Sequence, residues 1–90
     1  LTLYCISYDL IDGKTEDYKE LYKKIKAYGT YSHTLESTWF VETNESVSQV
    51  RDNLKSTLDK DDKLIVIEVV KHWASYNLRK STADWLKARF

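Results

Sequence analysis

The sequence predicts an α+β domain over residues 1–90: a four-stranded antiparallel sheet, two helices on one of its faces and a short helix after the last strand. Three observations carry that expectation. Four runs rich in β-branched and aromatic residues occur, at Leu3–Asp9, Thr30–Leu35, Thr38–Thr43 and Leu64–Val70. Two segments with helical apolar spacing separate the first run from the second and the third from the fourth. Proline is absent and glycine occurs twice, which favours short turns over flexible linkers.

Each element has its own signature. In the first run Tyr4, Ile6 and Tyr8 share one face and Leu3, Cys5, Ser7 and Asp9 the other. Ile11-Asp12-Gly13-Lys14 reads as a turn. The spacing of Tyr18, Leu21, Tyr22, Ile25 and Tyr28 predicts a helix over Thr15–Tyr28 with one apolar face. Glu16 and Asp17 at its start and Lys23, Lys24 and Lys26 near its end suit the helix dipole, and Gly29 offers the left-handed stop. Lys19 and these lysines, set among Glu16, Asp17 and Glu20, read as a solvated face. Glu36-Ser37 joins the second and third strands as a hairpin.

Ser46-Val47-Ser48-Gln49 has the spacing of a capping box, and Val47, Val50, Leu54 and Leu58 give the following helix a buried stripe. Asp59-Lys60-Asp61-Asp62 is a charged turn. Lys71–Lys80 is expected to be a loop, and Ser81-Thr82-Ala83-Asp84 a second cap that opens a helix carrying Trp85 and Leu86. The order β-α-β-β-α-β, with right-handed crossovers, is that of a ferredoxin-like sandwich whose first and third strands are central.

Composition narrows the function classes. Fourteen basic and fourteen acidic residues cancel, so no global field draws in a polyanion, although a local basic stripe can still bind one. Hydrophobic residues make up 42% of the chain and aromatics 13%, enough for a core. Cys5 is alone, which excludes an internal disulfide and points to a reducing, cytoplasmic setting. No apolar run approaches the about 20 residues that span a bilayer, so no membrane role is expected.

The Leu64–Val70 strand is apolar on both faces, with Ile65, Ile67 and Val69 on one side and Leu64, Val66 and Val70 on the other. Two helices cover one face of such a sheet, so the terminal helix or a second copy of the chain must cover the other. A homodimer through this side is expected.

Tyr8-Asp9 at the end of the first strand, Tyr28-Gly29 at the end of the helix, Ser37-Thr38-Trp39-Phe40-Val41 in the hairpin and Asp84-Trp85-Leu86-Lys87 near the end together resemble a known superfamily. It is that of the CRISPR-associated adaptation nucleases and the virulence-associated protein D toxins, and within it the small SinR-like proteins. The resemblance implies a ferredoxin-like homodimer in which Asp9 holds a divalent metal, Mg²⁺, across the dimer axis and supports phosphodiester hydrolysis. It equally implies members that bind duplex DNA without cutting it. Where the family is basic after its first strand, this chain carries Asp12, Glu16 and Asp17, with Lys14 the only cation, and the family's extra C-terminal strand is not evident.

The candidate site residues follow. Asp9 is the candidate catalytic and metal-holding carboxylate; its alternative is an acid that ends a strand and accepts turn amides. Tyr4, Tyr8, Trp39 and Phe40 on the central strands could stack bases, though packing explains them more simply. Tyr8 is kept as a ligand candidate together with His72, Trp73, Tyr76 and Arg79, because loop aromatics beside Lys71, Arg79 and Lys80 can clamp a base or nucleotide. His33 and His72 lack ligand-spaced partners for zinc, and Cys5 inside a strand reads as a small core residue. The function expected is binding of nucleic acid, a nucleotide-like ligand or a partner protein. The alternatives are a Mg²⁺-dependent endonuclease or endoribonuclease using Asp9, and a phage or plasmid accessory protein that sequesters a nucleotide signal or blocks a host defence enzyme.

Overall fold

The computed structural model describes residues 1–11, 15–70 and 72–89, with the backbone alone over 15–17. The turn expected at 12–14, the charges of Glu16 and Asp17, and Lys71 lie outside the described residues or side chains. Seven elements follow in order: β1 (Thr2–Asp9), α1 (Thr15–Lys26), β2 (Tyr31–Leu35), β3 (Thr38–Thr43), α2 (Val47–Lys55), β4 (Lys63–Glu68) and α3 (Lys80–Lys87). All strand pairings are antiparallel and the sheet runs β2-β3-β1-β4, with β1 and β3 in the two central places.

Strand alternation decides which side chains enter the core. Tyr4, Ile6 and Tyr8 of β1 and Trp39 and Val41 of β3 meet Leu21 and Ile25 of α1 and Val50 and Leu54 of α2 in one buried cluster. Each fully buried Leu or Ile contributes about 1.5–3 kcal/mol by leaving water. Tyr18, Tyr22 and Tyr28 pack around the edge of that cluster, as the helical spacing predicts. α1 ends at Lys26, two residues before the expected Tyr28, and Gly29 follows in the left-handed region at φ 83°, a conformation that disfavours any side chain with a Cβ.

The cap of α2 is as predicted: Ser46 accepts from the Gln49 amide at 3.2 Å, and the Gln49 side chain accepts from the Ser46 amide at 2.7 Å. Its stripe is shorter than expected. Val50 and Leu54 are buried, whereas Val47, the first residue of the helix, is 41% exposed beside the edge strand β4. Leu58 lies past the end of α2 and is partly buried.

Two further expectations change. β4 ends at Glu68, and the pairing continues for one bond only, from the Val69 amide to the Leu3 carbonyl at 2.9 Å. α3 begins at Lys80 with Arg79 at the capping position and no side-chain cap, so Ser81 lies inside the first turn. Asp84, the acid of the expected cap, instead pairs with Lys80 one turn earlier at 2.8 Å.

α3 and the segment before it lie on the face opposite α1 and α2, over β2 and β3. Leu86 is buried there, and Arg89 reaches Glu42 of β3 at 3.7 Å while its guanidinium lies 3.9 Å over the Trp85 ring. Of the two covers considered for this face, the terminal helix therefore supplies part. Beyond it, on β4, Ile65 and Ile67 remain 54% and 50% exposed. Among the described residues no helix is long and apolar enough to cross a membrane.

Candidate functional site

The second face of the sheet carries the most chemistry per residue, and the strand register assembles it. β1 places Leu3, Cys5, Ser7 and Asp9 on that face. The antiparallel pairing with β4 sets Ile67 opposite Cys5, Ile65 opposite Ser7 and Lys63 opposite Asp9. Directly opposed residues stand with Cβ atoms about 4.5–5.5 Å apart, within reach of charge pairing. Asp9 and Lys63 are both exposed. The adjoining turn is held by Asp62, whose carboxylate accepts from the Ile11 amide at 3.0 Å and the Asp59 amide at 2.8 Å. That carboxylate ties the entry to β4 to the exit from β1, and so positions Lys63 against Asp9.

Ser7, Asp9, Lys63 and Ile65, with the backbone of Tyr8 and Leu64, line a shallow depression of about 260 Å³. The Ser7 and Thr38 hydroxyls share a hydrogen bond of 2.8 Å at its side. Arg51, Lys55 and Lys60 border an adjoining open groove of about 620 Å³ that shares Leu64. Arg51 is engaged by Asp52 at 2.9 Å.

Among the described residues no three metal-ligating side chains come together. Among the described residues this depression thus offers a divalent cation one carboxylate, that of Asp9, with Lys63 set opposite it in the strand register. Mg²⁺ is usually held by one or two carboxylates together with substrate phosphates, so the set becomes adequate only when a second chain or a ligand adds oxygens. Lys63 instead suits an anion. Cys5, half-buried on the same face, has its thiol pushed up by burial, which keeps it protonated and weakly nucleophilic.

Tyr8 points the other way, into the core. Its hydroxyl accepts from the Trp39 indole at 3.2 Å and lies 3.2 Å from both the Tyr22 hydroxyl and the Glu36 carbonyl. Burial first, then the Tyr22 hydrogen bond, raises its phenol well above the ordinary value, so it stays neutral. His33, opposite Trp39 in the β2–β3 register, stacks on that indole at 4.0 Å and 11°. Its Nε2 lies 3.0 Å from the Glu36 carbonyl, which can only accept, so this nitrogen carries the proton. The β2–β3 turn is thereby pinned to β1 from inside.

The remaining ligand candidates lie in the segment before α3. His72 and Arg79 are exposed, Tyr76 is 93% exposed, and Trp73 is 37% exposed at the mouth of a cavity against the sheet. Arg79 donates to the His33 carbonyl at 3.4 Å, which fastens the segment to the edge strand β2. The structure thus divides the candidates among three places: Asp9 at the end of β1, Tyr8 in the core, and His72, Trp73, Tyr76 and Arg79 on the terminal segment.

Lys63, Ser7, Thr38 and Asp62 were not singled out from sequence. Lys63 opens the last strand and Asp62 closes a charged turn, but their pairing with Asp9 and Ile11 depends on a register between segments far apart in the chain. No protein-family model matches the chain.

Proposed function

We propose that this chain is a ferredoxin-like binding module, related to the adaptation-nuclease superfamily, that takes a phosphate-bearing ligand of the nucleic-acid or nucleotide class as a homodimer. The strand order β2-β3-β1-β4, which brings β1 and β3 to the centre, supports the ferredoxin-like assignment. The observation that carries the functional reading is the register pair Asp9–Lys63. Lys63, opposite Asp9 in the register, can lend charge to a phosphate at this end of the sheet while the neighbouring Ser7 and Thr38 hydroxyls donate hydrogen bonds. The adjoining groove past this end of β4 is of mixed charge, with Arg51, Lys55 and Lys60 set among Asp59 and Asp62. The exposed pair Ile65 and Ile67, beside half-buried Cys5, supports a second copy as the cover for this half of the sheet.

Anisotropy titrations with labelled single-stranded RNA, duplex DNA and a mononucleotide, across a salt series, test the binding. Affinity that falls with salt and drops at least tenfold in Lys63→Glu supports it; affinity indifferent to both overturns it. Light scattering tests the assembly. A wild-type dimer that becomes monomeric in Ile65→Lys/Ile67→Lys supports the proposed face, and a wild-type monomer at micromolar concentration removes it.

A second reading is favoured by the exposure of Asp9 at the border of the same apolar strip, where a two-fold partner can bring a second Asp9 close. On that reading the dimer holds Mg²⁺ and cleaves a phosphodiester. Mg²⁺-dependent cleavage of RNA or DNA that is lost in Asp9→Ala supports it, and cleavage that survives the substitution rejects it.

A further inference from the structure

The terminal segment and α3 do more than shield the sheet. Between them and the second face lies a cavity of about 140 Å³ lined by Thr34, Phe40, Val69, Trp73, Ala74, Ser75, Leu78 and Leu86. Leu86 is nearly wholly buried, and Phe40 and Val69 rise from the sheet beneath it. Its mouth lies at residues 73–75, which are exposed. Among the described residues no charged side chain lines it, and its polar groups are the Thr34 and Ser75 hydroxyls and the backbone.

We propose that this cavity is a binding site for an uncharged, single-ring aromatic group. The size points to the class: an apolar cavity of roughly 150 Å³ stays dry and accepts benzene, and this one is of that order. The walls favour the same class. Phe40 and Trp73 offer ring faces and edges, and Leu78, Leu86 and Val69 supply aliphatic surface around them. An anion or cation finds no counter-charge in this lining, and its desolvation is uncompensated there. One hydroxyl on the ring can be met by Thr34 or Ser75. The site is independent of the phosphate reading at Lys63, because the two share no described lining residue.

The segment's geometry suits entry. Asn77 holds the left-handed conformation at φ 59°, just past Tyr76, so the chain reverses there between the mouth residues and Leu78.

Toluene, phenol and benzoate are the probes, titrated into the full chain. Binding is followed by methyl NMR shifts of Leu78, Leu86 and Val69 and by Trp fluorescence, with Trp73→Phe identifying the responding indole. The expected result is saturable binding of toluene and phenol confined to these methyl groups, with benzoate at least tenfold weaker. Two variants at exposed mouth positions, Ala74→Leu and Ser75→Phe, fill the cavity from outside. Each is expected to weaken phenol binding at least tenfold while far-UV circular dichroism and the denaturant midpoint stay near wild type. Absence of saturable shifts up to the solubility of toluene, equal binding of benzoate, or undiminished binding in both folded variants overturns the assignment.

Discussion

The indole N–H of Trp39 meets the hydroxyl of Tyr8 at 3.2 Å in the buried interior, joining the two central strands through their side chains as well as their backbones. Tyr8→Phe removes the acceptor and leaves a buried indole donor unpaired. The expected cost is about 1–3 kcal/mol in urea unfolding with an unchanged slope. Tyr22→Phe leaves the Trp39 bond intact and is expected to cost less. Equal losses in the two variants count against this account.

Tyr28 gives the protein an alkaline limit. Its hydroxyl donates to Glu45 Oε1 at 2.6 Å and accepts from Asn53 at 3.0 Å. Burial first, and then the Glu45 hydrogen bond, push the phenol from 10.0 up to about 12. The folded protein therefore keeps a proton that the unfolded chain releases. The resulting stability is complete below pH 10 and is lost as pH rises towards about 12. The gap in urea midpoint between wild type and Tyr28→Phe is expected to narrow across that interval. A constant gap contradicts the assignment.

The two helix starts that look alike in sequence should respond differently. Ser46→Ala breaks a reciprocal capping box and is expected to cost about 1 kcal/mol. Ser81→Ala, inside the first turn of α3 where no side chain caps, is expected to fall within about 0.5 kcal/mol of wild type. Thermal melts of the two variants side by side decide this.

Neutralising Asp9 should strengthen, not weaken, the capture of polyanions. Asp9→Asn leaves Lys63 facing an uncharged neighbour, and affinity for labelled RNA or DNA is expected to rise severalfold at low salt. Lys63→Gln should lower it and reduce the salt slope by about one unit for each phosphate the side chain no longer neutralises. An Asp9→Asn variant that binds less tightly contradicts the phosphate reading.

What could be read in the sequence follows the range over which each signal acts. The α1 face, the Gly29 stop, the Ser46 cap and the inward set Tyr4, Ile6 and Tyr8 are local patterns, and the structure contains them as predicted. Ser81 misled because a Ser-x-x-Asp spacing marks a helix start only if the backbone turns there, and the terminal segment was already helical at Lys80. Val47 has the right spacing but opens the first turn beside the edge strand, where it stays 41% exposed. Asp9 was visible as an acid closing a strand, whereas Lys63, its opposite number, emerges only from the β1–β4 register. The apolar double-sidedness of β4 was plain, but how α3 divides the second face, covering Phe40 and leaving Ile65 and Ile67 exposed, depends on tertiary packing.

The central place of β1 has a consequence for synthesis. Residues 2–9 leave the ribosome before either neighbour exists, since their partners come from 38–43 and 63–68. A nascent chain can close its hairpin and seat residues 2–9 on one side, yet the other flank stays open until the last strand is translated. Quality control has its clearest opportunity in that interval, when an unfilled backbone edge bordered by Tyr4, Ile6 and Tyr8 is available to chaperones and to neighbouring nascent chains alike.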